Sequence, residues 1–390
     1  MKNRLVLAGC AVVASVGMCM AASPAMAQAP NKVTIACGDV AALITAVEQA
    51  NTNGGTISLA KDCAYRFDID YGATSGNPSG NALPAITGNV AIVGHNSTLI
   101  RSVSGGSPLF RLLSVEEGGT LTLKGITVTG GRTDGNGAGI ANAGTLRLED
   151  SKVAGNQAGG VGGGISNEGG DVTLVDTEIL TNVATSATDD AGDGGGLSNS
   201  ETGTLTLNKS TVAGNTADED GGGIQNEGTL TVEHGLLTNN EARDGNGGAI
   251  NNLGSAKIKH TKIIENWAGL NGGGVNNAEG GTLEIQQSTL ANNKAGNDGG
   301  AINNAGTATL KKTKVESNSA GRDGGGINNA EEAGGDVTQL TLEHSTVAEN
   351  RAAGVGGGIN NQAGAVVTLK ESKIVKNLPT NCAGTVAGCS

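Results

Sequence analysis

The chain has 390 residues, of which 67 are glycine and only five are aromatic (2 Phe, 2 Tyr, 1 Trp), and its net charge is −12. Glycine at that level without a period would point to a disordered segment. The negative charge argues against nucleic acid and anionic membrane surfaces as partners.

Taken from the start, Met1 to Ala27 reads as a secretory signal peptide. Lys2 and Arg4 form its positive end, Leu5 to Ala22 its apolar run, and Ala25-Met26-Ala27 a small-x-small cleavage site. No second apolar span follows, so no transmembrane anchor is expected, and the mature chain is expected to be secreted, free or associated with the cell surface. Cleavage removes Cys10 and Cys19 and leaves Cys37, Cys63, Cys382 and Cys389, clustered at the two ends. An even count in an exported chain reads as disulfides. Three connectivities are open, and proximity in sequence favours Cys37–Cys63 with Cys382–Cys389.

Residues 28–63 form an N-terminal cap. Within it, 38–52 is the one helical stretch, with Val40, Leu43, Ile44, Val47 and Ala50 at helix spacing and Asn53-Gly54-Gly55 as the stop. An open solenoid end needs such a cover against edge pairing. Residues 64–377 are expected to be coils and 378–390 a C-terminal disulfide cap. The early coils, 56–136, are looser, with a loop over 71–84.

From Gly137 onward the chain repeats. The anchors are Ile140, Ile165, Leu197, Ile224, Ile250, Val275, Ile302, Ile327 and Ile359, separated by 25, 32, 27, 26, 25, 27, 25 and 32 residues. Such a period signals a solenoid. Each copy carries Gly-Gly-x-Ile, then Asn, then an alternating Leu-x-Leu of strand period, then Val-x-x-Asn. The step from the second apolar segment to the third is five residues in all nine copies, while the gap between the first and second varies from 8 to 15. Three short strands per coil, stacked in parallel, predict an all-β fold: a single right-handed parallel β-helix with an N-terminal capping helix. Glycine and asparagine are expected at the tight corners, where φ is positive. Ile250, Ile302 and Ile327 should share one inward column. The Asn two residues after each anchor forms a column of its own, and both Asn columns read as structural, with amides bonded from coil to coil. Two insertions stand out, Thr185–Asp193 and Glu331–Gln339, the second in the variable corner.

These motifs resemble the Gly-Gly-Ala-Ile and Phe-x-x-Asn repeats of the chlamydial polymorphic outer membrane proteins, and more broadly bacterial secreted proteins of the right-handed parallel β-helix type. The resemblance covers about residues 121–377, with Val, Ile or Leu in place of Phe. The Cys-led helix followed by Gly-Gly-Thr-Ile-Ser-Leu is similar to the N-terminal part of such proteins. The resemblance implies the fold and export, and it carries over no catalytic residue.

Many right-handed β-helices are polysaccharide lyases or glycoside hydrolases, so a carbohydrate-active enzyme on a pectate-lyase-like scaffold is the alternative to a non-catalytic, adhesin-like repeat protein. Such enzymes need clustered carboxylates on one face and a positioned base. Here Asp189-Asp190 sits in a Gly/Ala/Thr loop without a nearby His or Arg, and His95 lies in Gly-His-Asn. No catalytic residue and no cofactor is assigned. Asp193, Asp220, Asp298 and Asp323 each lie four residues before an anchor, with Asn271 in register and Asp244 near. As an axial column they are weak candidates for calcium, and a solvated acidic edge is the favoured reading. His234, His260 and His344 share another column with Asp150, Lys209, Gln287, Lys312 and Glu371, a mixture that marks a solvent face rather than a metal site. The expected partner is an extracellular ligand, either a polysaccharide or a surface protein.

Overall fold

The computed structural model describes residues 32–72, 80–102, 108–186, 192–331 and 337–389. The signal peptide, the Asp189-Asp190 pair and residues 332–336 of the variable-corner insertion lie outside them.

The chain is a parallel β-solenoid of about 12 turns. One coil shows how the sequence makes it. Ile224–Asn226 is the first strand, Thr229–Glu233 the second and Leu236–Thr238 the third. Each pairs in parallel with the matching strand one period later, Ile224 with Ile250, Leu230 with Ala256 and Leu237 with Ile263. A fourth strand, Glu241–Ala242, pairs with Trp267–Ala268. The regular coil therefore has four strands where the sequence pattern predicts three. Two residues are too short to show an alternation, and the fourth strand's only mark is an Ala two residues after the second Asn. The strands fall into sheets of 23, 9 and 11. The second and third columns share the largest sheet because Asn89–Arg101 and Thr120–Thr129 run unbroken through that corner in the early coils.

The alternation of the second strand decides what is buried. In the coil above, Ile224, Leu230, Val232, Leu237 and Ala242 are fully enclosed, as are Ile250, Ile302 and Ile327 in the first column. The interior is aliphatic throughout the regular coils. The large buried rings, Tyr65, Phe67 and Phe110, belong to the early coils.

Three corners require unusual backbone. One lies between the third and fourth strands, where Gly155, Thr181, Gly214, Asn239, Glu265, Asn292, Ser317, Glu349 and Lys376 all have φ of 50–63°. Three residues before each anchor the chain turns at positive φ on a glycine, as at Gly221 (φ +63), and a Cβ on the next glycine, Gly222, would lie 2.4 Å from the Glu241 carbonyl carbon. No side chain fits there. The corner between the second and third strands differs from expectation. It also has positive φ in every regular coil, but it uses Asp150, Asp176, Lys209, His234, His260, Gln287, Lys312, His344 and Glu371, at 46–57°. A non-glycine residue there costs about 1–2 kcal/mol. Its N–H stays in the ladder, as His234 N–H donates to the Lys259 carbonyl at 3.1 Å, and its side chain has open space outside.

Both Asn columns are amide ladders. In the first, each Nδ2 donates to the next coil's Oδ1 at 2.7–2.8 Å from Asn142 to Asn361. In the second, from Asn156 to Asn377, the same bond measures 2.9–3.0 Å. There each Oδ1 also accepts the backbone N–H of the preceding Asn, as Asn266 does from Asn240 at 3.0 Å. The buried Asn142 Oδ1 has no partner, because Val115 occupies its register one coil earlier.

Helix α1 (Val40–Asn53) starts at the first residue of its apolar spacing, two residues inside the expected 38–52 stretch, because Asp39 caps it by accepting the Ala42 N–H at 2.9 Å. It buries Leu43, Ala46, Val47 and Ala50 against the first coils. The Asn51 amide donates to the Ala85 carbonyl at 2.8 Å. Both expected disulfides are present, Cys37–Cys63 across 26 residues and Cys382–Cys389 across 7. The longer loop restrains the unfolded chain more. Replacing Cys37 and Cys63 by Ser should lower the unfolding free energy by about 3–4 kcal/mol, and replacing Cys382 and Cys389 by about 2–3 kcal/mol. Denaturant titration of the two double variants checks both the size and the order.

Candidate functional site

The acidic column is where sequence and structure meet most informatively. Four residues before each anchor, the chain has finished the fourth strand and is entering the glycine turn. Here a side-chain oxygen can reach the backbone one coil on. Asp193 Oδ1 accepts the Asp220 N–H at 2.8 Å. Asp220 Oδ1 accepts the Asn246 N–H at 2.7 Å and its Nδ2 at 3.1 Å. Asn246 Oδ1 accepts the N–H and Nδ2 of Asn271 at 3.2 and 3.0 Å, and Asn271 Oδ1 the Asp298 N–H at 3.2 Å. Asp298 accepts the Asp323 N–H at 3.0 Å and is clamped by the Arg322 guanidinium, and Asp323 accepts the Val355 N–H at 2.8 Å. Asn136 holds the Val161 N–H at 3.1 Å in the same way.

The four aspartates are therefore brought together, as a third ladder of side-chain acceptors in which Asp and Asn do the same work. Asn136 and Asn246 are the members that a search for charge passes over. Asp244 is exposed and off the column.

Sequence reasoning also missed a fourth ladder. The middle residue of the first strand points outward, yet Gln225, Asn251, Asn276, Asn303, Asn328 and Asn360 are all buried. Each later amide donates to the earlier one at 2.7–3.0 Å. The signal was present as a doubled Asn after the anchor in the last five copies. Asn251 also donates to Asp220 Oδ2 at 2.9 Å, which ties this amide floor to the acidic wall. The amide ladder and the acidic column therefore run side by side along the outside of the 11-stranded sheet.

Its electrostatics are strongest at Asp193 and Asp220. Burial, opposed by the bond from the Asp220 backbone and helped by the nearby Asp220, Glu219 and Glu227, pushes the Asp193 carboxyl up to about 6. Burial also raises Asp220, opposed by its bonds to Asn246. Upstream, Arg111 donates to the Asn136 carbonyl at 3.0 Å. Burial lowers its pKa, offset in part by Glu168 and Glu116.

Elsewhere the charges neutralise one another. Lys257, Glu284, Lys311, Glu343 and Lys370 form an alternating row over the large sheet, at N···O distances of 2.8–3.9 Å. A hollow of about 490 Å³ beside helix α1 is lined mainly by apolar groups, including Val40, Ile44, Phe67 and Ile69. Among the described residues no group of three or more His, Cys, Asp or Glu is arranged to hold a metal ion, and no helix is long and apolar enough to cross a membrane.

No family model matches the chain, and no curated protein matches it. Solved structures similar to it include the A-module of Azotobacter vinelandii mannuronan C-5 epimerase AlgE6, at 11% identity and a TM-score of 0.42, covering 90% of this chain and 96% of that one. Another is the Dettilon tailspike protein gp208, at 15% identity and a TM-score of 0.41, covering 88% of this chain and 67% of that one. The class defined by the strand pairing itself is the parallel β-solenoid.

The raised Asp193 yields a pH test. Its folded pKa, about 6, exceeds the ordinary 3.8, so the fold favours the protonated carboxyl. Stability from this group is full below about pH 4 and is lost as pH rises towards 6. Asp193→Asn keeps the acceptor oxygen, as Asn136 and Asn246 show, and removes the charge. The variant should melt at the wild-type temperature near pH 4 and above it at pH 7, with the gap opening between the two. Thermal melts across that range check this.

Proposed function

We propose that this chain is an exported, non-catalytic β-solenoid that binds an extracellular ligand along its flank, in an adhesin-like role. The observation that carries this reading is the use of the carboxylates. In a lyase or hydrolase the acids gathered on one face stand free to move protons at a sugar. Here Asp193, Asp220, Asp298 and Asp323 each hold the next coil's backbone N–H, so they serve the stack.

Three further features support the reading. Two disulfides suit an oxidising compartment. The resemblance to the repeats of the polymorphic outer membrane proteins implies export. The corner between the first and second strands varies in length from copy to copy, while the others are nearly constant apart from the Thr185–Asp193 insertion, so it is a place where a solenoid gains contacts without disturbing its stack.

The ligand class we favour is polysaccharide. The outer face of the large sheet presents hydroxyls in register, Thr204 and Thr206 over Thr229 and Thr231. These repeat at the strand spacing of about 4.8 Å, a regular row for a regular polymer.

The mature protein incubated with a panel of acidic and neutral polysaccharides should be retarded by at least one of them in affinity electrophoresis. It should release neither reducing ends nor unsaturated uronic products. Product formation that Asp193→Asn or Asp220→Asn abolishes would overturn the non-catalytic reading in favour of the carbohydrate-active enzyme. Retention by a surface protein with none by any polysaccharide would overturn the ligand class alone.

A further inference from the structure

The corner between the second and third strands holds residues whose side chains project from a fixed, left-handed backbone. His234 and His260 occupy it on successive coils, at φ 57° and 49°. Their positions are locked on both sides, because the flanking strands pair Glu233 with Lys259 and Leu236 with Lys262. Each backbone N–H is held as well, His234 on the Lys259 carbonyl and His260 on the Gln286 carbonyl, both at 3.1 Å. The two rings stand 4.8 Å apart between centroids, tilted by 58°, and both residues are exposed.

The third histidine of the column behaves differently: His344 Nδ1 lies 3.3 Å from a Glu371 carboxylate oxygen. Among the described residues neither ring of the pair has a hydrogen bond or an ion pair of its own. An imidazole offers a metal ion one ring-nitrogen lone pair, and the paired flanking strands hold the two Cα atoms in register.

The separation has a chemical meaning. A first-row divalent ion bonds an imidazole nitrogen at about 2.0–2.1 Å and so lies about 3.2 Å from the ring centroid. Two rings held side by side on one ion, at angles of 90–109°, then place their centroids about 4.5–5.2 Å apart. The observed spacing falls within that range before any ion is bound. Two loose histidines would have to give up side-chain freedom to reach it.

From this geometry we propose that His234 and His260 form a two-imidazole binding site for a transition-metal divalent ion of the Cu²⁺, Ni²⁺ or Zn²⁺ type. The ligand is borderline in softness, which selects these ions over calcium and magnesium. The ion's other positions face solvent and take water or a donor from outside the chain. Glu233 immediately precedes His234 and pairs with Lys259, which precedes His260.

The test uses the mature chain without a histidine tag. Calorimetric titration should show one Cu²⁺ per chain, with Ni²⁺ and Zn²⁺ binding more weakly. His234→Asn and His260→Asn should each weaken binding at least about 100-fold, because each leaves a one-point contact. Asparagine tolerates positive φ, and circular dichroism verifies the fold of each variant. His344→Asn should bind as wild type does.

A second readout does not depend on a variant folding. Substoichiometric Zn²⁺ should shift the ring resonances of His234 and His260 together and leave those of His95 and His344 in place. Equal binding by wild type and His260→Asn, or a shift confined to His95 or His344, would overturn the site.

Discussion

Every coil of this solenoid must bury the backbone and side-chain amides of its own corners, and the rest of the structure follows from how it does so. A buried polar group without a partner costs about 1–3 kcal/mol, and a coil of short strands has no helical turn of its own to supply one. The partner it has is the identical group one turn away. Asparagine suits the position because a single side chain both donates and accepts along the stack, so each amide is satisfied by its copies above and below. Two such ladders run inside the solenoid and a third along the outside of the 11-stranded sheet. The acidic column continues the principle with Asp as acceptor and Asn246 and Asn271 donating as well as accepting.

This constraint sets the composition. Coils must stack in strict register for amides 2.7–3.0 Å apart to meet. Register requires near-identical corners, and one corner brings backbone so close to backbone that glycine fills it in every regular coil but the first, where Ala138 stands. Hence a chain rich in glycine and asparagine and nearly free of rings is ordered. The same register places any outward residue above its counterpart, which brings Asp193 over Asp220 and His234 against His260. Charge and chemistry on the surface are by-products of the stack, and the candidate sites lie where they accumulate.

The architecture was legible because a solenoid writes its contacts into its period. The anchors, the Leu-x-Leu alternation, the inward column of Ile250, Ile302 and Ile327, both inner Asn columns and both disulfides stand where the spacing put them. The fourth strand was not legible, since two residues carry no alternation. Nor was the left-handed corner, because backbone conformation at Lys209 or Glu371 is imposed by the stack and not by the residue's own preference. The acidic column shows a different blind spot. Its residues were found by charge, but their partner is the main chain of the next coil, and main chain has no sequence signature. Asn136 and Asn246 share the column and the function without sharing the charge.

The central claim is that continuous amide ladders, and not aliphatic packing alone, hold the coils in register. Asn266 lies mid-stack, taking the N–H and Nδ2 of Asn240 at 3.0 and 2.9 Å and donating to Asn293 at 2.9 Å. Asn266→Leu keeps the volume and interrupts that ladder. Urea unfolding of this variant should show a loss of about 2–5 kcal/mol, the cost of at least two orphaned groups. A value within about 0.5 kcal/mol of wild type, the range of an inconsequential surface change, would contradict it.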